Sequence, residues 1–347
     1  MHKVDRKEEY GAQERERRGI VGSCLGIDVS KASLDVVLLG EDENREAAQF
    51  ENTRTGFNKL QRFLKKRVKT TLHACLEATG HYGDEVALFL YEAGYVVSVV
   101  NPAQVKSYGD SQLRRTKTDA SDAALIADFC RTQKPAAWQP PAPEVRELQA
   151  LLRHWEALIH MRQQEVNRLQ AGIESPVVLE AIQTHITFLD QQIDDLRTRV
   201  RQHFDHYPQL RQQRDLLTSI PGIGELTAAR LLAELPHWSA FSSPKQVAAF
   251  AGLSPQQRVS GTSVRGRTRL SKRGSARLRT ALYMPAISAK QHNPVLKAFA
   301  QRLLAAGKAK MAVLAAVMRK LLLLAFAILK SGRPFDPNYA ARFVLTT

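Results

Sequence analysis

Cys24-Leu25-Gly26-Ile27-Asp28-Val29, then Ser30-Lys31-Ala32-Ser33, then Leu34-Asp35-Val36-Val37-Leu38-Leu39, is the stretch on which the fold turns. Two apolar runs of strand length flank a turn-prone segment. Ala47–Phe50 supplies a third strand, so the opening is a β-meander. An acid, Asp28, stands at the end of the first strand. A buried strand rarely ends in a carboxylate without a role.

Downstream, the pattern alternates. Phe57, Leu60, Phe63 and Leu64 have the spacing of one helix face. Thr71–Leu76 reads as a strand, Asp84–Ala93 as a helix and Tyr95–Val100 as a strand, which Asn101-Pro102 ends. Thr118 can cap a helix running through Ala123, Ile126, Ala127 and Cys130. The order βββαβαβα predicts an α/β domain of ribonuclease-H/RuvC-like topology over residues 23–134.

Residues 1–22 are highly charged and lack an apolar core, so they read as a disordered arm rather than a secretory signal. Residues 135–143 hold four prolines and read as a linker. Residues 144–206 carry apolar positions three or four apart, including Leu148, Leu152, Trp155, Ile182, Leu189 and Ile193. They predict an antiparallel helical hairpin or coiled coil, serving as a spacer or a dimerisation element. Residues 207–335 predict a mainly α, basic domain, with Ser254–Gly274 as a long functional loop and 336–347 as a tail. Met311–Leu329 is very apolar, but Arg319 and Lys320 interrupt it. Each would cost about 2.5–3.5 kcal/mol at a bilayer centre, so a buried core helix is expected and no membrane partner.

Hydrophobic residues make up 44% of the chain and charged ones 24%, ordinary values for a soluble globular protein. Lys and Arg total 50 against 34 Asp and Glu, a formal charge of +16. Leu235 to Phe335 contains no acid, where the average frequency would place about ten. Arg258, Arg265, Arg267, Arg269, Lys272, Arg273, Arg277 and Arg279 crowd the same stretch. Solvated faces mix both signs, so contact with nucleic-acid phosphates is the better reading. Cys24, Cys75 and Cys130 are scattered in apolar contexts. They imply buried thiols, a reducing cytoplasmic compartment and no structural zinc.

Four acids stand out by position. Asp28 and Glu77 end strands, while Asp119 and Asp122 lie three apart at a helix start and share a face. Strand ends and helix starts meet at one edge of such a sheet. Carboxylates gathered there repel one another, and a divalent cation relieves the repulsion. Oxygen-only ligands suit Mg²⁺ or Mn²⁺. Two such ions about 3.5–4 Å apart can stabilise both oxygens of a phosphodiester displacement. Taken singly, Asp119 could equally be a helix N-terminal acid favoured by the dipole. Ile220-Pro221-Gly222-Ile223-Gly224 before Glu225–Leu235 suggests a helix-hairpin-helix element whose free N–H groups suit a phosphate; a plain tight turn is the alternative. Physics alone does not choose a nucleophile among Ser254, Ser260, Ser263, Ser271 and Ser275.

Gly26–Lys31, Glu77-Ala78-Thr79-Gly80-His81-Tyr82 and Lys117–Ala123 resemble the first-domain motifs of DEDD transposases of bacterial insertion sequences of the IS110 group and of the related pilin-type invertases. Phe250-Ala251-Gly252-Leu253-Ser254-Pro255, Val259-Ser260-Gly261 and Leu270-Ser271-Lys272-Arg273-Gly274 resemble that family's C-terminal domain. The resemblance spans about Cys24 to Arg333. It implies that Asp28, Glu77, Asp119 and Asp122 bind Mg²⁺ and that Ser260 is a nucleophile forming a covalent link to DNA. It further implies donor and target DNA as partners, a dimer or tetramer, and a structured guide RNA. Lys31, Arg114, Arg115 and Lys117, with Gly222, Gly224 and the C-terminal basic residues, are the candidate nucleic-acid contacts. Two rival readings are a junction-resolving nuclease, which needs the acids but no serine, and a non-catalytic nucleic-acid-binding protein, which needs only the basic half. A third, suggested by Gly26-Ile27-Asp28, is an actin-like sugar kinase, and it leaves the basic half unexplained.

Overall fold

The computed structural model describes residues 22–42, 44–78, 80, 82–112, 119–235, 237–260 and 264–338, and the side chains of all of these except 119–120, 257–260 and 264–268. Residues 1–21 of the expected N-terminal arm lie outside the described residues. Two units divide the chain, Met1–Pro140 and Pro141–Thr347.

The first unit is built on a five-stranded sheet. Strands β1 (Ser23–Val29), β2 (Ser33–Leu39) and β3 (Arg45–Glu51) form the antiparallel meander. Strands β4 (Leu72–Glu77) and β5 (Val96–Val100) extend it in parallel from β1, giving the order β3-β2-β1-β4-β5. This is a mixed α/β domain of ribonuclease-H-like topology.

Alternation along the strands sorts the two faces. Leu25, Ile27 and Leu76 face one way, against Phe57, Leu60 and Leu64 of α1 (Arg54–Arg67) and Val86 and Leu90 of α2 (Asp84–Glu92). Thr53 caps α1 by accepting the Gly56 N–H at 3.2 Å, an interaction worth about 1 kcal/mol. Cys24, Val37, Leu39 and Cys75 face the other way, against Ala123, Ile126, Ala127 and Cys130 of α4 (Asp119–Gln133). Between β5 and α4 lies α3 (Pro102–Ser111), which the sequence pattern missed. Asn101-Pro102 not only ends β5. Asn101 Oδ1 accepts the Ala103 N–H at 2.9 Å, and Pro102 sits in the first turn, where no donor is needed.

All three cysteines are buried, as expected. A hydrogen bond to Cys130, together with burial, pushes the Cys24 thiol well up. The proline-rich segment is pinned at its start rather than loose throughout. Buried Ser98 contacts the carbonyls of Pro135 and Ala136 at 3.1 and 2.8 Å, and the Trp138 N–H donates to Val97 at 2.6 Å.

The second unit is largely helical. Helices α5 (Pro143–Gln170) and α6 (Pro176–His206) pack Trp155 and Leu158 against Leu189, Ile193 and Leu196. Then come α7 (Pro208–Thr218), α8 (Glu225–Glu234), α9 (Pro244–Phe250), α10 (Ala276–His292), α11 (Pro294–Ala305) and α12 (Lys310–Ser331). Helix α12 is the apolar segment, long and apolar enough by composition to cross a membrane. Here Val313, Val317, Leu321, Leu322 and Phe326 join the core of this unit. Its interrupting charges have local uses. Arg319 donates to the Leu253 carbonyl at 3.4 Å, and the Lys320 ammonium lies 5.2 Å from the Phe299 ring centroid.

One expectation fails. Ser254–Gly274 is not a long loop but a two-stranded antiparallel ribbon, β6 (Pro255–Ser260) with β7 (Val264–Leu270). Its residues lack the apolar alternation that marks a half-buried strand, because this ribbon is rich in Arg and Gln.

Candidate active site

Asp28 is the penultimate residue of β1, and Glu77 is the last of β4. Ile27 pairs with Leu76 in parallel register, so the next step sets Asp28 beside Glu77. Both are half-buried on the sheet face that α4 covers.

Gly26 explains how closely that helix lies. A Cβ there would sit 2.1 Å from the Ala123 carbonyl oxygen and 2.3 Å from the Ala127 nitrogen. Only glycine lets the two backbones touch. Cys24 meets Cys130, and Gly26 meets Ala123 and Ala127, so α4 runs opposite to β1. Moving from Gly26 toward Asp28 along β1 therefore leads along α4 toward its first turn, which carries Asp119 and Asp122. Asp122 is half-buried, whereas the Asp119 side chain lies outside the described residues. Among the described residues, no three His, Cys, Asp or Glu side chains form a group that could hold a metal ion. The donors at this edge are all carboxylate oxygens, a set that fits Mg²⁺ or Mn²⁺.

The register also exposes residues the motifs did not mark. Asp35 pairs with Asp28 across β1 and β2, and a directly opposed pair of this kind shares one face of the sheet. Like charges so placed repel, which adds to the acidity of this edge. Gln49 Nε2 donates to Asp35 Oδ1 at 2.9 Å and offsets part of that cost. Asn52 Nδ2 donates to the carbonyls of Ser30 at 2.9 Å and Tyr82 at 3.0 Å. One amide thus ties the loop after β1 to the loop after β4 and holds the two acid-bearing strand ends together. Arg45 of β3 donates to both oxygens of buried Asp128, at 3.1 and 3.3 Å, and anchors α4 to the sheet. The meander register could have found Asp35; Asn52 gives no sequence signal.

Of the remaining candidate contacts, Lys31 is exposed in the β1–β2 turn. Arg114, Arg115 and Lys117 lie outside the described residues. In the second unit, Ser260 is the last residue of β6 and pairs with Val264. Its side chain, and those of Arg258, Arg265 and Arg267, lie outside the described residues. Arg269, Lys272 and Arg273 are exposed. Arg277 is exposed and stands 4.0 Å from Glu234. Arg279 is committed elsewhere: its Nη1 donates to the carbonyls of Ala251, Gly274 and Ser275 at 3.1, 2.9 and 3.2 Å. Burial lowers its pKa. Gly222 is explained by packing, since a Cβ there would lie 2.6 Å from Ala289 Cβ. Gly224 differs: it starts α8 with nothing within 4 Å of a Cβ.

A five-stranded sheet in this order, acidic at one edge and joined in the chain to a basic helical unit, defines a protein with a ribonuclease-H-like domain. Comparison with known proteins makes this specific. Residues 25–175 match the family model for DEDD transposases of the IS110 type, and residues 214–301 match the transposase IS116/IS110/IS902 family. The chain is 33% identical over 315 residues to the pilin gene-inverting protein of Moraxella bovis, covering 90% of this chain and 97% of that protein. The Moraxella lacunata protein of the same name matches over the same length at 33% identity. The transposase for insertion sequence element IS1111A of Coxiella burnetii is 26% identical over 218 residues, 54% of this chain and 58% of that protein.

The chain belongs to the IS110/IS902 family of transposases, related to the pilin gene-inverting proteins. It is an enzyme of the transposase/recombinase class that acts on DNA.

Proposed function

We propose that this transposase is Mg²⁺-dependent, with Asp28, Glu77, Asp119 and Asp122 as metal ligands and Ser260 as nucleophile. The observation that carries the reading is the strand register that sets Asp28 beside Glu77; the direction of α4 across Gly26 supports its first turn reaching the same edge. Divalent cations held there would stabilise the charge that develops at a phosphodiester during displacement. Asp35 and Asn52 act as positioning residues, the first by adding charge and the second by fixing the strand ends.

Ser260 Oγ would lose its proton, form an O–P bond to a backbone phosphate and release the sugar oxygen, leaving a phosphoserine link. A serine hydroxyl is a weak nucleophile without activation. Arginines of the same ribbon, Arg258 and Arg265 among them, would supply positive charge for the transition state. Family likeness supports a dimer or tetramer in which acids and serine come from different subunits, with donor and target DNA aligned by a structured RNA. The chain's charge of +16 suits such a polyanionic assembly and a place in the cytoplasm at the nucleoid.

The test is a pair of variants. Asp119→Asn should abolish recombination, by about 10³-fold or more, and leave DNA binding nearly intact. Ser260→Ala should lose the covalent protein–DNA adduct seen on denaturing gels. Wild-type recombination by Asp119→Asn would remove the metal assignment. An adduct that persists in Ser260→Ala would move the nucleophile to another serine, and cleavage without any adduct would favour a junction nuclease.

A further inference from the structure

We infer that the second unit carries a pocket for a single unstacked nucleotide, formed where α6, α7 and the start of α8 meet. This rests on the reading that the chain handles nucleic acid. A half-open cavity of about 280 Å³ lies there. Its size is near the lower end of ligand pockets, about 300–1,000 Å³, which suits one nucleotide rather than a folded element.

The lining has what a nucleotide needs. Gly224, Glu225, Leu226 and Thr227 border the cavity with the first turn of α8. No side chain caps that helix, and Gly224 leaves the approach to its backbone open. Such a turn offers N–H groups and a positive dipole end to a phosphate.

Arg197, Arg201 and Arg214 supply guanidinium groups on the same wall. The Arg214 side chain is only 14% exposed, with its guanidinium 5.4 Å from the Phe204 ring centroid. Each arginine has a carboxylate neighbour: Asp194 for Arg197 at 3.6 Å, Glu225 for Arg201 at 2.9 Å and Asp215 for Arg214 at 2.7 Å. The Arg197 and Arg201 pairs are exposed, and such pairs contribute little, so a phosphate can compete for these two guanidinium groups. Glu225, released from Arg201, can accept a hydrogen bond from the amino group of a base.

Trp155 adds an aromatic ring to the lining. It lines the cavity and is 8% exposed, yet its indole Nε1 has no hydrogen-bond partner among the described residues. A buried donor left in that state is costly.

Gly224→Asp tests the pocket without threatening the fold. Gly224 has an ordinary extended backbone, φ −90° and ψ 173°, and aspartate is a favoured helix cap. The melting temperature should hold or rise, while the new carboxylate faces the incoming phosphate. The full-length protein is titrated with fluorescent single-stranded DNA and RNA oligonucleotides, a duplex, and a single strand bearing an abasic tract. Affinity for one of the base-bearing single strands should fall about tenfold in the variant. A larger loss with RNA assigns the nucleotide to the RNA strand, and a larger loss with DNA assigns it to the DNA. Unchanged affinity for both, with duplex still bound by wild type, overturns the pocket alone. Wild-type binding to the abasic strand as tight as to the intact one also overturns it. Wild-type protein that binds neither single strand nor duplex overturns the nucleic-acid reading and the pocket with it.

Discussion

In the first unit, acids occupy set positions in a strand register; in the second, a hundred-residue stretch from Leu235 to Phe335 has none, and exposed basic residues gather around a polar β-ribbon. On the proposed function, the two regions act on the same class of polyanion and solve different problems. Charge at the sheet edge must be placed to within a fraction of an ångström, so it sits on rigid elements: β1, β4 and a helix pressed onto Gly26. Phosphate contact needs only positive potential, which tolerates exposed side chains and irregular sequence. The contrast predicts that substitutions near the edge act through geometry and that substitutions on the ribbon act through counterions.

The largest effect expected from breaking this contrast is at Gly26. Gly26→Val would drive a side chain into the α4 backbone, costing about 3 kcal/mol or more, and would displace Asp119 and Asp122 from Asp28. Urea denaturation should show the loss, and a variant as stable as wild type would contradict the helix placement. A smaller and different effect is expected on the basic side. Arg269→Ala should weaken DNA binding at every sequence alike and reduce the slope of log affinity against log salt by about one. A sequence-dependent loss with an unchanged slope would assign Arg269 to base reading instead.

The smallest effect concerns Glu234, the last acid before the acid-free stretch. Burial raises its pKa, partly offset by Arg277 and by a hydrogen bond from Ser275. The folded state therefore binds this proton more readily than the unfolded chain. Its contribution to stability is largest below the ordinary glutamate range and declines as pH rises through the raised value. Glu234→Gln should flatten that decline, read as the urea midpoint at pH 5 against pH 8. An unchanged pH slope would show that Glu234 is solvated.

How much of this was legible follows from the same contrast. The meander was readable because apolar runs leave a local pattern, and the places of Asp28 and Glu77 near strand ends followed from it. Asp35 lies in plain view in Leu34-Asp35-Val36, but its relation to Asp28 exists only in the antiparallel register. Asn52 acts through backbone carbonyls of two distant loops, which no spacing encodes. The β6–β7 ribbon was hidden because its polar sequence lacks the alternation of a half-buried strand. Arg279 resembled its basic neighbours in sequence, yet three carbonyls claim one of its guanidinium nitrogens.

The most direct measurement is a Mn²⁺ titration of the full-length protein, followed by electron paramagnetic resonance, for wild type and Asp28→Asn. Wild type should bind the ion, and the variant should bind at least about tenfold more weakly while keeping its circular dichroism spectrum. Equal Mn²⁺ affinity in the two proteins would contradict a metal site built on the ends of β1 and β4.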